Sequence, residues 1–408
     1  MGNLIEGKNI PELRFPGFTG EWEEKKLGKV FDFRKGKGIS KSDLSSKGTK
    51  CILYGQLYTI YNEVIANVES YTEINKEKLL LSKYGDILIP SSGETALDMS
   101  LSSAILLDDI ALGGDINVLR PKKNNVDSKF ISYQINSARK LDLARVAEGA
   151  SVIHLYNSSI KSIRATFPSL SEQEKISSFF YTLDQKLDLQ NKRIEKLKNY
   201  KKGMMQRIFN QEIRFKDEEG KEYPEWEEKK LGEILKEKKE MLEKGQGVPH
   251  ASLTKNGIEL KTERYDRDFL VTTKDKKYKV SKLGDICYNP ANLKFGVITI
   301  NTIGTVIFSP IYITFVVNKN ISERYLSYYL MRWDFINTVR KFEEGTVYER
   351  MAVKPVDFLK YKIKLPSLPE QEKIASFLSD VDNKIELEEE RLKAYEKLKK
   401  GLMQRMFV

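Results

Sequence analysis

A chain of 408 residues, 40% hydrophobic and 31% charged, is long enough for two or three domains with separate cores. Its 69 Lys and Arg against 58 Asp and Glu leave a formal charge of +11, the balance of a protein that meets a polyanion. Two cysteines and two histidines argue against a disulfide framework and a His/Cys metal centre, and they fit a reducing cytoplasm.

The opening stretch, MGNLIEGKNIPELRF, has no apolar core of signal-peptide length. The longest apolar run, TVIFSPIYITFVV at 305–317, is interrupted by Ser309 and Pro310 and is too short to cross a bilayer, so no membrane is expected. Residues 21–28 read EWEEKKLG. Strands follow at DILIPSS (86–92) and INVLRP (116–121), where β-branched residues crowd between glycine punctuation. Apolar residues recurring at three and four predict a helix over 128–145. FPSLSEQEKISSFF (167–180) then opens a long helix, with Ser171 and Glu174 spaced as a capping box, and KKGMMQRIF (201–209) closes it.

The second half repeats the phrases. EWEEKKLG returns at 225–232, strands are predicted within FGVITINTIGTVIF (295–308), and a helix is predicted over 322–342. LPSLPEQEKIASFL (365–378) opens the second long helix, with Pro369 suited to its first turn, and KKGLMQRMF (399–407) closes it. Phrases recurring about 200 residues apart mean two copies of one unit, with a pseudo-two-fold arrangement open to them. Duplex DNA is the commonest partner with near two-fold symmetry of its own.

Each long helix carries a 4-3 seam. The first runs Ile176, Phe180, Leu183, Leu187, Gln190, Ile194, Leu197, Lys201, Met204; the second runs Ile374, Leu378, Val381, Ile385, Glu388, Leu392, Tyr395, Lys399, Leu402. A helix laid on a globular core is the other use of such spacing, but two copies with matching polar interruptions favour pairing. Both helices are acidic early (Asp184, Asp188; Asp380, Asp382) and basic late (Lys198, Lys201; Lys397, Lys399), so an antiparallel pair brings opposite charges together. About 36 residues give a rod of roughly 54 Å, a spacer between two domains. The fold expected is α+β: two strand-rich mixed domains separated by two long helices packed as an antiparallel coiled coil.

Catalytic signatures are missing. There is no G-x-x-x-x-G-K-[ST] loop, and two histidines leave little room for a nucleophile–base set. Asn289-Pro290-Ala291-Asn292 lacks the second proline and the aromatic residue with which an adenine methyltransferase grips a flipped base. Gly36-Lys37-Gly38 and Gly113-Gly114 are too isolated for a cofactor loop. The sequence argues against an enzyme.

Across essentially its whole length, the chain resembles the specificity subunit of type I restriction–modification systems. The marks are PELRFPGF-x₃-EW at the start, GDI-x-IP at 85–90, GGDINVLRP at 113–121, YNPAN-x₃-G at 288–296, PSL-x-EQEKI ahead of each helix and the KKG-x-MQR-x-F helix ends. The resemblance implies a first target-recognition domain at 1–166, a helical region at 167–210, a second recognition domain at 211–364 and a second helical region at 365–408. Each domain would read one half of a split, asymmetric DNA site, while the helices set the spacer and dock partners. Catalysis would belong to those partners: two methyltransferase subunits using SAM and two restriction/translocase subunits using ATP and Mg. No cofactor is expected on this chain.

Base reading needs amides, cations and aromatic or small side chains on loops. In the first half these are Tyr54, Gln56, Tyr58, Thr59 and Tyr61, with Ser91, Ser92, Gly93 and Thr95 after a strand. In the second half they are Ser252, Lys255, Asn256 and Arg264, then Asn289, Asn292 and Lys294, with Ser309 and Tyr312 as weaker candidates. YNPANLKFG follows GDI as SSGET does, so the two loops should be equivalent. A protein–protein scaffold would share the repeat and the seam; basic, Asn- and Tyr-rich loops favour nucleic acid over it.

Overall fold

The computed structural model describes residues 9–243, 247–255, 257–261, 277–344 and 352–408. Two compact units emerge, Met1–Arg193 with Glu388–Val408, and Ile194–Leu387. The division falls within both long helices, Leu170–Phe209 and Leu368–Met406, so each unit owns one part of each. Among the described residues no helix is long and apolar enough to cross a membrane.

In the first unit, five strands line up in the order Phe31–Lys35, Ile116–Pro121, Ile87–Pro90, Ser103–Ile105, Val64–Ile65. A second five-stranded sheet, including Thr49–Ile52 and Ala111–Leu112, sits in the same unit, and Glu23–Lys26 forms a ribbon with Arg164–Phe167. In the second unit the main sheet runs Leu235–Lys238, Ile313–Val317, Ile286–Tyr288, Ile298–Ile300, and Glu227–Lys230 forms the matching ribbon with Lys362–Leu365. The repeated EEKK is thus an edge ribbon in both. The GDI turns also match, since Gly85 and Gly284 both take left-handed φ (82° and 86°), which a side chain would strain.

Two predicted helices are each broken in two. The 128–145 segment forms Ser128–Asn136 and Lys140–Arg145, interrupted where the Ser137 hydroxyl donates to the Tyr133 carbonyl at 2.8 Å and competes with the helical ladder. The 322–342 segment forms Glu323–Leu330, Trp333–Val339 and a 3₁₀ turn. Its break is at Arg332, which adopts an extended ψ of 137° and lays its guanidinium 4.7 Å from the Phe209 ring and 4.8 Å from that of Tyr329.

The first long helix starts at Leu170, one residue before Ser171, so the predicted capping box does not form there. Tertiary contacts fix this helix start instead. Glu172 is buried and takes a two-pronged bond from Arg14 (2.6 and 2.7 Å). Gln173 donates to the Pro168 carbonyl (2.9 Å) and accepts from the Asp127 amide (3.0 Å). The second helix repeats the device: Arg214 holds Glu370 at 3.2 and 2.9 Å, and Gln371 joins the Pro366 carbonyl to the Ser322 amide. The Glu-Gln of each recurring EQEK is therefore a buried clamp on the helix start, while Glu174, Lys175 and Glu372 stay exposed.

Within the first unit the helix segments run antiparallel. Phe180 stacks 5.6 Å from Phe407, the Lys186 ammonium sits 4.5 Å from the Tyr395 ring, and Gln190 donates to Glu388 Oε2 at 2.5 Å. Asp184 meets Lys399 at 2.6 Å; in the second unit Asp382 meets Lys201 at the same distance. Each aspartate also accepts a tyrosine hydroxyl, from Tyr133 (2.6 Å) and Tyr328 (2.7 Å) respectively. Along the seam Ile176, Phe180, Ile194, Ile374, Leu378, Val381 and Ile385 are buried, while Leu183, Leu187, Leu197 and Leu392 are half-buried. Ile176 and Phe180 join the core around Trp22, Phe130 and Tyr133; Ile374 and Leu378 join the one around Trp226, Phe315 and Phe358. Both uses of the spacing therefore occur: part of each seam packs into its own unit's core, and part pairs helix with helix.

Candidate nucleic-acid interface

In the first unit Tyr54, just before the short helix Gln56–Thr59, and Tyr58 within it face solvent, their rings edge-on with centroids 6.3 Å apart. Gln56 closes the turn beneath them, accepting from the Leu53 amide at 2.8 Å and donating to Ser70 at 2.7 Å. Thr59 is exposed and bonds back to the Gly55 carbonyl. Tyr61 is half-buried, and burial pushes its hydroxyl up to about 12. Burial also raises Tyr58, helped by the charges of Tyr54, Glu94 and Asp98.

Of the candidates at 91–95, only Thr95 is exposed. Ser91 and Ser92 are buried, Ser91 bonded to Asp115 and Ser92 paired in a small ribbon with His154. A Cβ on Gly93 would lie 2.6 Å from the Met99 side chain, so this glycine serves close packing. Thr95 is exposed and caps the helix Ala96–Met99 by accepting from the Asp98 amide. Too isolated for a cofactor loop, Gly36 instead lies among three exposed cations, Arg34, Lys35 and Lys37, and its Cβ would stand 1.9 Å from the Gly113 carbonyl.

In the second unit Lys255 is exposed on the turn joining Ala251–Thr254 to Gly257–Leu260, with Ser252 half-buried in the preceding strand. Asn256 and Arg264 lie outside the described residues. Asn289 is buried, and its Oδ1 accepts from the Ala291 amide at 3.1 Å, an Asx turn. Half-buried Asn292 precedes the 3₁₀ turn Leu293–Phe295 and accepts from the Phe295 amide through its carbonyl. Ser309 accepts the Tyr312 amide in a turn, and Tyr312 packs edge-on against Phe308. This 3₁₀ turn links strands Ile286–Tyr288 and Ile298–Ile300, as Ala96–Met99 links Ile87–Pro90 to Ser103–Ile105, so the two loops are topologically equivalent.

Phe295 stands 48% exposed at the tip of this turn, with the Lys255 and Lys294 ammonium groups 5.3 and 5.2 Å from its ring centroid. Gly296 ends the turn with a left-handed φ of 80°, and the ring of Trp333, 57% exposed, lies 3.8 Å from where its Cβ would be. Neither aromatic is legible from sequence, because Phe295 opens a stretch predicted as strand and Trp333 lies within a predicted helix.

The model of the type I restriction modification DNA specificity domain matches residues 19–199 and again 223–397. The chain is 26% identical over 420 residues to the type I restriction enzyme MjaVIII specificity subunit of Methanocaldococcus jannaschii, covering 97% of this chain and 94% of that protein. It is 28% identical over 319 residues to the putative type I restriction enzyme MjaX specificity subunit of the same organism, covering 71% and 70%. Its fold is similar to the crystal structure of the type I restriction–modification system S subunit from M. genitalium, with TM-score 0.62 at 15% identity over 98% and 99% of the two chains.

Proposed function

The chain belongs to the type I restriction–modification DNA specificity family, and from that premise we propose that it reads a bipartite, asymmetric DNA target without chemistry of its own. Each unit takes one half-site. The paired helices set the spacer and dock two methyltransferase subunits, which carry SAM, and two restriction subunits, which use ATP and Mg, join that complex. The observation that carries this reading is one frame built twice around unlike loops: the Arg–Glu clamp, the Gln bridge and the Tyr–Asp–Lys cluster recur, while the solvent-facing tips do not. A repeated frame holds two readers alike, and unlike tips read unlike sequences.

Among the sequence candidates, the exposed or half-exposed side chains best suited to DNA are Tyr54, Tyr58, Thr59, Lys255, Asn292 and Lys294. Single-molecule methylation sequencing of cells expressing this chain with its cognate methyltransferase tests the proposal. A split motif is expected, and Asn292→Ala or Lys294→Ala should alter one half while leaving the other intact. Methylation at a single uninterrupted motif, or at none, overturns it.

A further inference from the structure

Phe295 and Trp333 leave two large aromatic surfaces in water at one corner of the second unit. Exposed aromatics that are neighbours in space mark a surface awaiting a partner. The flanking groups say which kind. Lys255 arrives from a hairpin turn and Lys294 from the 3₁₀ turn, and both ammonium groups lie within 5.3 Å of the Phe295 ring. A partner seated there meets two cations around flat apolar faces, the combination that nucleic acid satisfies with phosphates and bases. The first unit shows that the arrangement is not a by-product of the fold. Its topologically equivalent helices carry aliphatic Leu97 and Leu141, 53% and 59% exposed, where the second unit has the aromatic pair, and Asp334 beside Trp333 is tied up by Arg332.

Resting on the DNA-reading function above, we propose that Phe295 and Trp333 form an aromatic DNA contact of the second unit, Phe295 against a base or thymine methyl, with Lys255 and Lys294 on the adjoining phosphates. Gly296 is part of the device. Its left-handed φ of 80° closes the turn that carries Phe295, and the Trp333 ring lies in ordinary van der Waals reach of it.

The chain has three tryptophans, and Trp22 and Trp226 are only 2% and 9% exposed, so solvent quenching of its fluorescence reports Trp333. The test titrates the full-length chain with a labelled mixed-sequence duplex, following anisotropy for binding and acrylamide quenching for Trp333. Duplex should protect the quenchable component, and Trp333→Phe should remove that component. Phe295→Ala should weaken binding about tenfold. The Lys255→Ala/Lys294→Ala pair should lower the salt slope of log K by about 2. Unchanged emission from the two buried tryptophans certifies the fold of each variant. Duplex binding that leaves Trp333 quenchable and Phe295→Ala at full affinity overturns this inference and leaves the DNA-reading function standing. Absence of any duplex binding removes both. Protection by the methyltransferase subunit alone, without DNA, also overturns it, since the patch then belongs to a protein interface.

Discussion

The two units bury the same acids but neutralise them differently. In the first, Asp86 of the GDI turn is paired with Arg120 on strand Ile116–Pro121, at 2.8 and 2.6 Å. In the second, Asp285 of the equivalent turn is paired at 2.8 Å with Lys238 on Leu235–Lys238, one strand further along the sheet. Glu172 is held by Arg14 alone, whereas Glu370 is held by Arg214 and also accepts the Trp226 indole N–H at 3.1 Å; the Trp22 indole N–H has no partner among the described residues. Lys399 serves two carboxylates, Asp184 and Glu63. The lesson is that a buried carboxylate fixes the need for a cation but not its source, because neighbouring strands bring several positions within reach.

The largest effects should come from the clamps. Arg14→Ala and Arg214→Ala each strand a buried carboxylate and should cost about 3–5 kcal/mol in urea unfolding resolved by hydrogen exchange at each helix start. Arg14→Ala should be worse by about 1 kcal/mol, since Glu370 keeps its indole bond; equal losses would break the comparison. Next comes a relocation of charge. Lys238→Met should destabilise the second unit by about 3 kcal/mol. Adding Val316→Arg, which follows Phe315 as Arg120 follows Leu119 in the matching register, should recover much of that loss. No recovery would show that the two sheets are less alike than their pairing implies.

A smaller, pH-dependent effect belongs to Glu63. Burial, with a contribution from the Glu63 charge, raises the Asp184 carboxyl above its ordinary 3.8, while Lys399 opposes the rise. Between the ordinary and the raised value the folded chain holds a proton that the unfolded chain releases. Stability from this group is therefore greatest at the acid end of that window and falls as pH rises through it. Glu63→Gln should narrow the window, changing the pH dependence by less than about 1.4 kcal/mol, readable by carboxylate NMR titration. An unshifted Asp184 would remove Glu63 from the cluster. The smallest effect is expected at the polar layer, where Gln190→Leu with Glu388→Leu should alter thermal stability by no more than about 1 kcal/mol. A large loss would mean that Arg193 and Arg391, both bonded to Glu388, depend on it more than their exposure suggests.

Frame and message differ in how legible they are in sequence. The long helices and the antiparallel contact of acidic with basic segments follow from a period of 3.5 and from charge, both local properties, and Asp184–Lys399 and Asp382–Lys201 realise them. Helix breaks at Ser137 and Arg332 were not legible, because a back-bonding hydroxyl and a guanidinium between two rings depend on neighbours. Loop chemistry was the least legible. Ser91, Ser92 and Asn289 have the right residue types for DNA but are buried and bonded within their units, whereas Phe295 and Trp333 look like core residues and are exposed. Residue type gives the capacity for a contact; only the fold gives its direction.

Gln173 and Gln371 reach from the helix starts to the amides of Asp127 and Ser322, deep inside the stretches where the two halves have diverged. The helices Ser128–Asn136 and Glu323–Leu330 therefore belong to the scaffold despite their unlike sequences. For anyone grafting a new specificity onto this chain, the seams of the exchange lie inside the repeats' boundaries. A cassette cut between Pro121 and Asp127, or between Val317 and Ser322, exchanges the main sheet while leaving the anchoring helix with its own long-helix partner, but Trp333 and the Ile153–His154 strand paired with Ser92–Gly93 lie beyond those cuts and have to be exchanged with it.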